Sequence, residues 1–203
     1  MNSAAAKLGF YSSIVGFAAA VGYGAAQSLQ VLGALTYPLA DILIYATSLG
    51  IAVPFLLAML ALHELTDAQH RLWSRGALLF AVMYVTYVAL MYSVQLSVVI
   101  PKSMLRPATG LLGVAPQTLF WDIDALGYIA MGIATLFAAC ALPLRGAGLW
   151  ARRFLLANAT ITPVIAFIYF YPHFSLGVLL LGLPWLVTAP GSLLSLAFYF
   201  RSA

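Results

Sequence analysis

Long apolar runs, separated by short polar or proline-containing breaks, dominate the pattern along this chain. Six runs have the length of roughly 20 residues that a helix needs to cross the hydrocarbon core of a bilayer. A transmembrane β-strand would alternate apolar and polar positions over about ten residues, whereas a run such as 51–62 is apolar on every side. The pattern predicts an all-α integral membrane bundle of six transmembrane helices, at about 9–36, 41–62, 76–100, 125–143, 154–171 and 175–200.

The segment 101–124 differs from the other breaks because it is too apolar for a free loop. Prolines and glycines interrupt it too often for a membrane span, at Pro107, Gly110, Gly113 and Pro116. We expect this segment to lie flat on the outer surface or to fold back over the bundle. Trp121 would then lie at the membrane interface, where amphipathic aromatic residues gather.

The composition supports the same class of protein. Of the 203 residues, 64% are hydrophobic and 7% are charged, and the mean hydropathy is +1.03. A soluble domain usually carries about 25% charged residues, and disorder requires low hydrophobicity, so both classes are excluded. The single cysteine, Cys140, excludes a disulfide framework and a cysteine-rich metal site. No Gly/Ser-rich linker divides the chain, so we expect one helical-bundle domain over 1–203.

The positions of Lys and Arg predict the orientation of the helices, because cytoplasmic loops carry an excess of these residues. With the N-terminus in the cytoplasm, only Lys102 and Arg106 face outward. The other seven of the nine basic residues then face the cytoplasm: Lys7, Arg71, Arg75, Arg145, Arg152, Arg153 and Arg201. Both termini are therefore predicted to be cytoplasmic. This topology and contact with anionic lipids explain the net charge of +4 without a nucleic-acid partner.

Small residues and prolines indicate how the helices pack. In the first helix Gly16, Ala20 and Gly24 recur every four residues, a spacing that lets helix backbones approach closely in a membrane. This stripe is either a homodimer seam or an internal crossing, and the crossing is favoured because five other helices of the chain are available to cover it. The last two helices are expected to kink or open at three prolines, Pro163, Pro184 and Pro190.

Polar and aromatic side chains within the predicted helices concentrate toward the outer side. Such groups are costly in a membrane and usually face a cavity or one another. Tyr169 and Tyr171 lie at the outer end of the fifth helix. The candidate ligand-binding residues are Gln27, Gln30, Asp41, Tyr45, Tyr84, Tyr87, Gln95, Asp122, Asp124, Tyr128 and His173.

Two interpretations account for this outer concentration of polar groups. The first is a pocket for a small amphipathic or lipid-like molecule, because a tyrosine ring buries apolar area while its hydroxyl offers a hydrogen bond. The second is that the aspartates cap helix N-termini and the tyrosines form an interfacial belt. Gln95 is the residue that the second interpretation explains least, because its amide lies inside the predicted span.

The inner loop contains the candidate metal ligands His63, Asp67 and His70. If the second helix continued inward, these residues would share one face at positions i, i+4 and i+7. Two imidazoles and a carboxylate form a ligand set that occurs in hydrolytic zinc sites. The alternative is a solvated loop in which acidic residues pair with arginine.

The sequence carries no catalytic motif that we can identify. No lysine lies inside a predicted helix, which excludes a retinal Schiff base, and neither a phosphate-binding loop nor a Gly-x-Ser-x-Gly elbow is present. No predicted helix carries a buried acid–base pair of the kind that proton-coupled transporters use. We therefore predict no catalytic residue and no cofactor, and a bound lipid is compatible with the pocket.

Three stretches in the middle of the chain carry a resemblance. They read YSVQLSVVIP at 92–101, FWDIDALGY at 120–128 and LFAA at 136–139. Over about 84–140 the chain resembles uncharacterised bacterial multi-spanning membrane proteins of about this length. The resemblance implies a bacterial inner-membrane protein and a helical bundle, and it implies no activity.

These observations predict a non-enzymatic polytopic inner-membrane protein that binds a lipidic or amphipathic ligand, or a partner, through its polar, tyrosine-rich outer half. One alternative is an accessory subunit of a larger respiratory or photosynthetic membrane complex, with other membrane subunits as partners beside the lipid bilayer. Another is a small transporter or an integral-membrane enzyme. Binding or assembly is favoured, because the polar groups left inside the membrane are mainly tyrosine and glutamine.

Overall fold

The computed structural model describes residues 3–105 and 112–203, and within these ranges its regular structure is entirely helical. A π-helical turn, Gln95–Val99, joins the third helix to the fourth. The α-helices are α1 (Ala4–Val31), α2 (Leu39–Leu65), α3 (Arg71–Val94), α4 (Ile100–Leu105), α5 (Leu119–Ala141), α6 (Gly146–Phe170), α7 (Leu176–Leu180) and α8 (Trp185–Ser202).

Six helical segments are long and apolar enough to cross a membrane. Helices α1, α2, α5 and α6 are four of them. The third span, Arg71–Met104, runs through α3 and the π-helical turn into α4, and the sixth, Leu176–Ser202, contains α7 and α8. The prediction of an all-helical chain with six helices of membrane-spanning length is confirmed, and these spans indicate an integral, multi-pass membrane protein.

Several helix boundaries differ from the prediction, and the largest difference is at the fifth span, which begins at Gly146 rather than at about 154. The first helix ends at Val31, because Gly33 adopts a left-handed conformation with φ of 74° and its N–H donates to the Gln30 carbonyl. The fourth span begins earlier than expected, at Leu119. Asp122 lies in its first turn, where a carboxylate complements the helix dipole.

The structure differs from the predicted interfacial segment 101–124 at both ends. The first residues of this segment continue the third span as α4, and the last ones form the first turns of α5. Arg106, Pro107 and Gly110 lie outside the described residues.

The six spans pack as a ring in chain order. Helix α1 packs against α2 and α8, α3 packs against α2 and α5, and α6 packs against α5 and α8. Consecutive spans run antiparallel, as in the contact of α1 with α2, where Gly22 lies beside Thr47 and Ala19 beside Gly50. Both chain termini therefore lie at one end of the ring, which we name the terminal end. The opposite end, where α1 and α6 end and α2 and α5 begin, is named the tyrosine end.

The small-residue stripe of α1 lies inside this packing. A Cβ atom on Gly16 would lie 3.2 Å from Leu193 Cδ2 in α8 and 3.3 Å from Pro54 Cβ in α2. Ala20, one turn further, is only 2% exposed. The chain's own helices cover the stripe, as the interpretation of an internal crossing predicts.

The sixth span is interrupted between α7 and α8. Residues 181–184 form turns, and Pro184 directly precedes the first residue of α8. The predicted opening therefore occurs at Pro184, whereas α6 and α8 continue through Pro163 and Pro190. This interruption forms one wall of the cavity at the tyrosine end.

Candidate binding site

A buried carboxyl group, that of Asp124, lies where α5 faces α3 and α6. Tyr92 donates its hydroxyl hydrogen to Asp124 Oδ1 at 2.8 Å, and Tyr169 donates to Oδ2 at 2.6 Å. Asp124 is 6% exposed, and the only ion pair within the described ranges joins Asp67 to His70. Two tyrosine hydroxyls, rather than a basic side chain of the described residues, therefore hold this carboxyl group.

A second hydrogen-bonded chain starts one turn along α5, at Tyr128. The Tyr128 hydroxyl donates to the Tyr23 hydroxyl oxygen at 3.3 Å, and the Tyr23 hydroxyl donates to Gln27 Oε1 at 3.4 Å. Gln27 Nε2 donates to Gln30 Oε1, and Gln30 Nε2 donates to Asp41 Oδ1, both at 2.9 Å. Polar groups from three spans thus bond to one another, which avoids the cost of unpaired polar groups in a membrane.

Aromatic rings join the two networks. The Trp185 ring packs edge-on against Tyr23 and Tyr128, with centroid separations of 5.3 and 5.2 Å. The Tyr128 ring also lies 5.9 Å from the ring of Tyr169. The two edge-to-face contacts of Trp185 are favourable because the positive edge of one ring meets the negative face of another. We call these four residues, Tyr23, Tyr128, Tyr169 and Trp185, the aromatic wall.

The aromatic wall borders a cavity of about 280 Å³ between α1, α6 and the interrupted sixth span. Gln27 and Ser28 add polar atoms from α1. Most of the remaining lining is aliphatic: Val31, Leu32, Ile165, Ile168, Leu179, Leu180, Leu183 and Leu186. One polar, aromatic side and one aliphatic side give the cavity the chemistry of a site for an amphipathic molecule.

Several of the predicted site residues belong to the two networks. Gln27, Gln30, Asp41 and Tyr128 form the longer hydrogen-bonded chain, and Asp124 is the acceptor in the other network. Gln27 and Tyr128 also line the cavity. The predicted residue Tyr45 joins them indirectly, because its ring stacks on that of Tyr92 at a centroid separation of 5.3 Å.

Tyr84 and Gln95 are buried and contact other parts of the bundle. Tyr84 packs edge-on against Phe55, with ring centroids 5.4 Å apart. Gln95 is 2% exposed and donates its Nε2 hydrogen to the Leu112 carbonyl at 2.6 Å. The amide of Gln95 therefore ties the connection before α5 to the π-helical turn.

The remaining predicted residues also lie apart from the cavity lining. Tyr87 packs beside Gly127 in the contact between α3 and α5. Asp122 lies in the first turn of α5, whose N-cap is Thr118, so its carboxylate complements the helix dipole without capping the helix. His173 is exposed after the end of α6, with its ring 5.9 Å from that of Tyr171.

Four contributors to the site were not among the predicted residues. Tyr23 precedes Gln27 by four residues and Tyr92 follows Tyr84 by eight, so helical spacing was an available signal for both. Tyr169 lies at the predicted outer end of the fifth helix. Trp185 has no comparable signal, because its position depends on the turn between α7 and α8.

The predicted metal ligands His63, Asp67 and His70 are not assembled into a site. Helix α2 ends at Leu65, so the continuation that would have aligned them is wrong. His63 Nδ1 lies 2.9 Å from Ser74 Oγ, while His70 Nδ1 lies 2.9 Å from Asp67 Oδ1. In the part of the chain that the structure describes, no group of three His, Cys, Asp or Glu side chains is placed to hold a metal ion. The hydrogen bond from His70 lowers the pKa of Asp67 below its ordinary value.

Comparisons with protein-family models, with curated proteins and with solved structures find no match to this chain. The functional argument therefore depends on the geometry of the tyrosine end. The groups available there provide hydrogen bonding, aromatic contact and one buried carboxyl group.

Proposed function

We propose that this chain is a non-enzymatic inner-membrane protein that binds a small lipidic or amphipathic ligand in the cavity at the tyrosine end. The observation that carries the proposal is the cavity of about 280 Å³, with its aromatic wall on one side and aliphatic side chains on the other. A polar head group beside Tyr23 and Gln27, with an apolar chain against the sixth span, would satisfy both surfaces.

The interruption of the sixth span supports this proposal. Leu179 and Leu180 precede the interruption, Leu183 lies within it and Leu186 follows it. All four line the cavity. Gly182 lies between them and has no side chain to occupy the space. A binding site formed at a break in a membrane helix is a common arrangement, because the break separates side chains that a regular helix would stack.

The lining also favours binding over catalysis. Within the described residues, no acidic, basic or histidine side chain contributes to the cavity surface. Histidine and carboxylic acids are the more usual general acid–base groups, and of the side chains that can serve in this way the described lining offers tyrosine. Retention of a ligand requires only the shape, the apolar surface and the hydrogen-bonding groups that the cavity provides.

The distribution of basic residues supports an orientation with the tyrosine end outward. Arg71 begins α3, Arg145 directly precedes α6 and Arg201 lies in the last turn of α8, all at the terminal end. Lys102, in α4, lies at the tyrosine end. Under the positive-inside rule, both termini are cytoplasmic and the cavity belongs to the outer half of the bundle.

Photo-crosslinking tests the proposed site directly. The probe is hexadecanol with a diazirine on its alkyl chain, added to the purified protein in maltoside micelles and mapped by peptide mass spectrometry. We expect the labels to concentrate on cavity-lining residues of α6, α7 and α8. Labels spread evenly over the outward-facing side chains of all six spans would contradict the proposal.

Two tryptophan substitutions provide a matched pair for this experiment. Leu179 lines the cavity, whereas Leu194 lines a separate apolar groove with Trp150 and Phe198. Both leucines are half-buried residues of the sixth span. We expect Leu179→Trp to fill the cavity and to reduce labelling there several-fold, whereas Leu194→Trp leaves it unchanged. Equal labelling in the two variants would count against the cavity as the binding site.

A further inference from the structure

Asp124 is the acidic residue nearest to the aromatic wall. Because it is buried, a charge on its carboxyl group would interact strongly with nearby groups. Both carboxyl oxygens lie within hydrogen-bonding distance of tyrosine hydroxyls, and donation from these hydroxyls stabilises the ionised form of the carboxyl group. No ion pair to Asp124 is formed by any Lys or Arg of the described ranges. A buried carboxylate that no described basic side chain neutralises attracts a cation in the cavity without touching it, because the dielectric between them is low.

Tyr169 connects Asp124 to the cavity. Its hydroxyl donates to Asp124 Oδ2 at 2.6 Å, while the residue itself lines the cavity. A phenol that donates to a carboxylate is polarised, and its ring gains electron density. The face of the Tyr169 ring therefore becomes a better partner for a positive charge.

The rest of the aromatic wall extends this surface. Trp185 packs between Tyr23 and Tyr128, and tryptophan is the strongest cation–π partner among the side chains, followed by tyrosine. Within the described residues, no basic side chain in the lining would repel a cation. The aromatic wall and the buried carboxyl group therefore both favour a positively charged ligand.

We propose that the ligand is a lipophilic cation, an amphipathic molecule with an ammonium head group on an alkyl chain. The head group lies against the rings of Tyr169, Tyr128 and Trp185, and Asp124 supplies the opposite charge through the Tyr169 hydroxyl. The alkyl chain lies against the aliphatic side chains of the sixth span. This inference depends on the proposed function, because it concerns the same cavity.

Charge separates this ligand class from the other amphipaths that fit the cavity. A fatty acid would bring a second negative charge toward Asp124, and the two like charges would repel each other in a low-dielectric environment. A neutral alcohol makes the same apolar contacts but gains no attraction from the carboxylate. A trimethylammonium head group gains that attraction, and its diffuse charge suits an aromatic face.

Competition against the hexadecanol probe tests the inference. The competitors are decyltrimethylammonium, decanol and decanoate, which share an alkyl chain and differ in charge. For the unaltered protein we expect decyltrimethylammonium to halve cavity labelling at a concentration about tenfold lower than decanol, within the range of a desolvated cation–π contact. Decanoate should compete least. Labelling beside Leu194 controls for charge effects on the micelle.

Two variants test whether Asp124 and Tyr169 cause the preference for the cation. Asp124→Asn keeps the shape and removes the charge, so decyltrimethylammonium and decanol should then compete at similar concentrations. Tyr169→Phe keeps a ring in the lining and removes its link to the carboxylate, so the concentrations at which decyltrimethylammonium and decanol compete should move closer together. If Asp124→Asn fails to fold, the competitor series on the unaltered protein and Tyr169→Phe still decide the question.

The outcomes separate this inference from the proposed function. If the cavity is labelled but decanol competes as well as decyltrimethylammonium, the cationic ligand is wrong and the amphipathic site stands. A cation preference that persists in full in Asp124→Asn would also overturn the inference. If hexadecanol does not label the cavity of the unaltered protein, both the inference and the proposed function are wrong.

Discussion

Tyr169 and Asp124 form a hydrogen bond of 2.6 Å between α6 and α5, and Tyr92 of α3 donates to the other oxygen of the same carboxyl group. One side chain therefore joins three consecutive spans of the ring. Tyr169 also lines the cavity, whereas Tyr92 does not. Stability and ligand binding can thus be tested separately at a single carboxyl group.

Replacing Tyr92 with phenylalanine should destabilise the bundle. The substitution removes one hydrogen bond to Asp124 and preserves the ring that stacks on Tyr45. We expect the free energy of unfolding to fall by about 1–2 kcal/mol, measured by denaturant titration in micelles. Tyr87→Phe in the same helix is the control, because its hydroxyl lies outside the Asp124 contacts. A similar loss in both variants would argue against a specific role for Tyr92.

Gly132 marks a close approach of α5 and α6. The side chain of Thr162 occupies the space that a Cβ atom on Gly132 would need. Because overpacking of this kind costs about 1–3 kcal/mol, we expect Gly132→Ala to lower the Tm clearly. In Gly24→Ala, by contrast, the new Cβ would lie 3.6 Å from Leu186 Cδ2, which is ordinary contact. Thermal unfolding of the two variants in one detergent checks this, and equal Tm values would show the prediction to be wrong.

Asn158 joins three spans within the membrane-spanning region. Its Nδ2 donates to Thr135 Oγ1 at 3.4 Å, and its Oδ1 accepts from Thr188 Oγ1 at 3.1 Å. Hydrogen bonds between membrane helices contribute about 0.6 kcal/mol each on average, so Asn158→Leu should lower the free energy of unfolding by about 1–2 kcal/mol. Thr160→Val is the control, because Thr160 is exposed and bonds within its own helix. Equal denaturation midpoints for both variants would contradict a structural role for Asn158.

The proposed topology predicts which residues are accessible from each side of the membrane. In a Cys140→Ala background, single cysteines replace His173 at the tyrosine end and Ser202 at the terminal end, both exposed. A membrane-impermeant maleimide should label His173→Cys in intact cells that express the protein. It should label Ser202→Cys only after the membrane is permeabilised. The reverse pattern would place the termini outside and overturn the proposed orientation.

A contact in the loop between α2 and α3 predicts how the stability of the chain depends on pH. The side chain and backbone N–H of His70 donate to Asp67 and lower the pKa of its carboxyl group below 3.8. A lowered folded-state pKa means that this contact stabilises the folded chain above the unfolded pKa, and that the contribution is lost as the pH falls through the folded pKa. We expect His70→Ala to raise the pKa of Asp67 toward 3.8 in a carboxyl ¹³C NMR titration. An unchanged pKa would show that the imidazole has no influence.

Gln27 and Gln95 show which features of the site could be predicted from the sequence and which could not. Both are amides inside predicted spans, and the helical pattern places both toward the tyrosine end. In the structure Gln27 lines the cavity, whereas Gln95 holds the Leu112 carbonyl. Helical periodicity predicts the depth of a residue along its span and the face of the helix on which it lies. Which residue it contacts there depends on how the helices are rotated in the ring.

The sequence by itself determined that the chain has six apolar helices, because the length and apolarity of a membrane span are local properties set by the thickness of the bilayer. Only the tertiary structure decided that Tyr92 and Tyr169, which lie 32 and 45 residues from Asp124 along the chain, meet at its carboxyl group. Such contacts depend on helix rotation and on close crossings such as that of Gly132 with Thr162. The cavity has the same origin, since it exists only where the broken sixth span packs against α1 and α6.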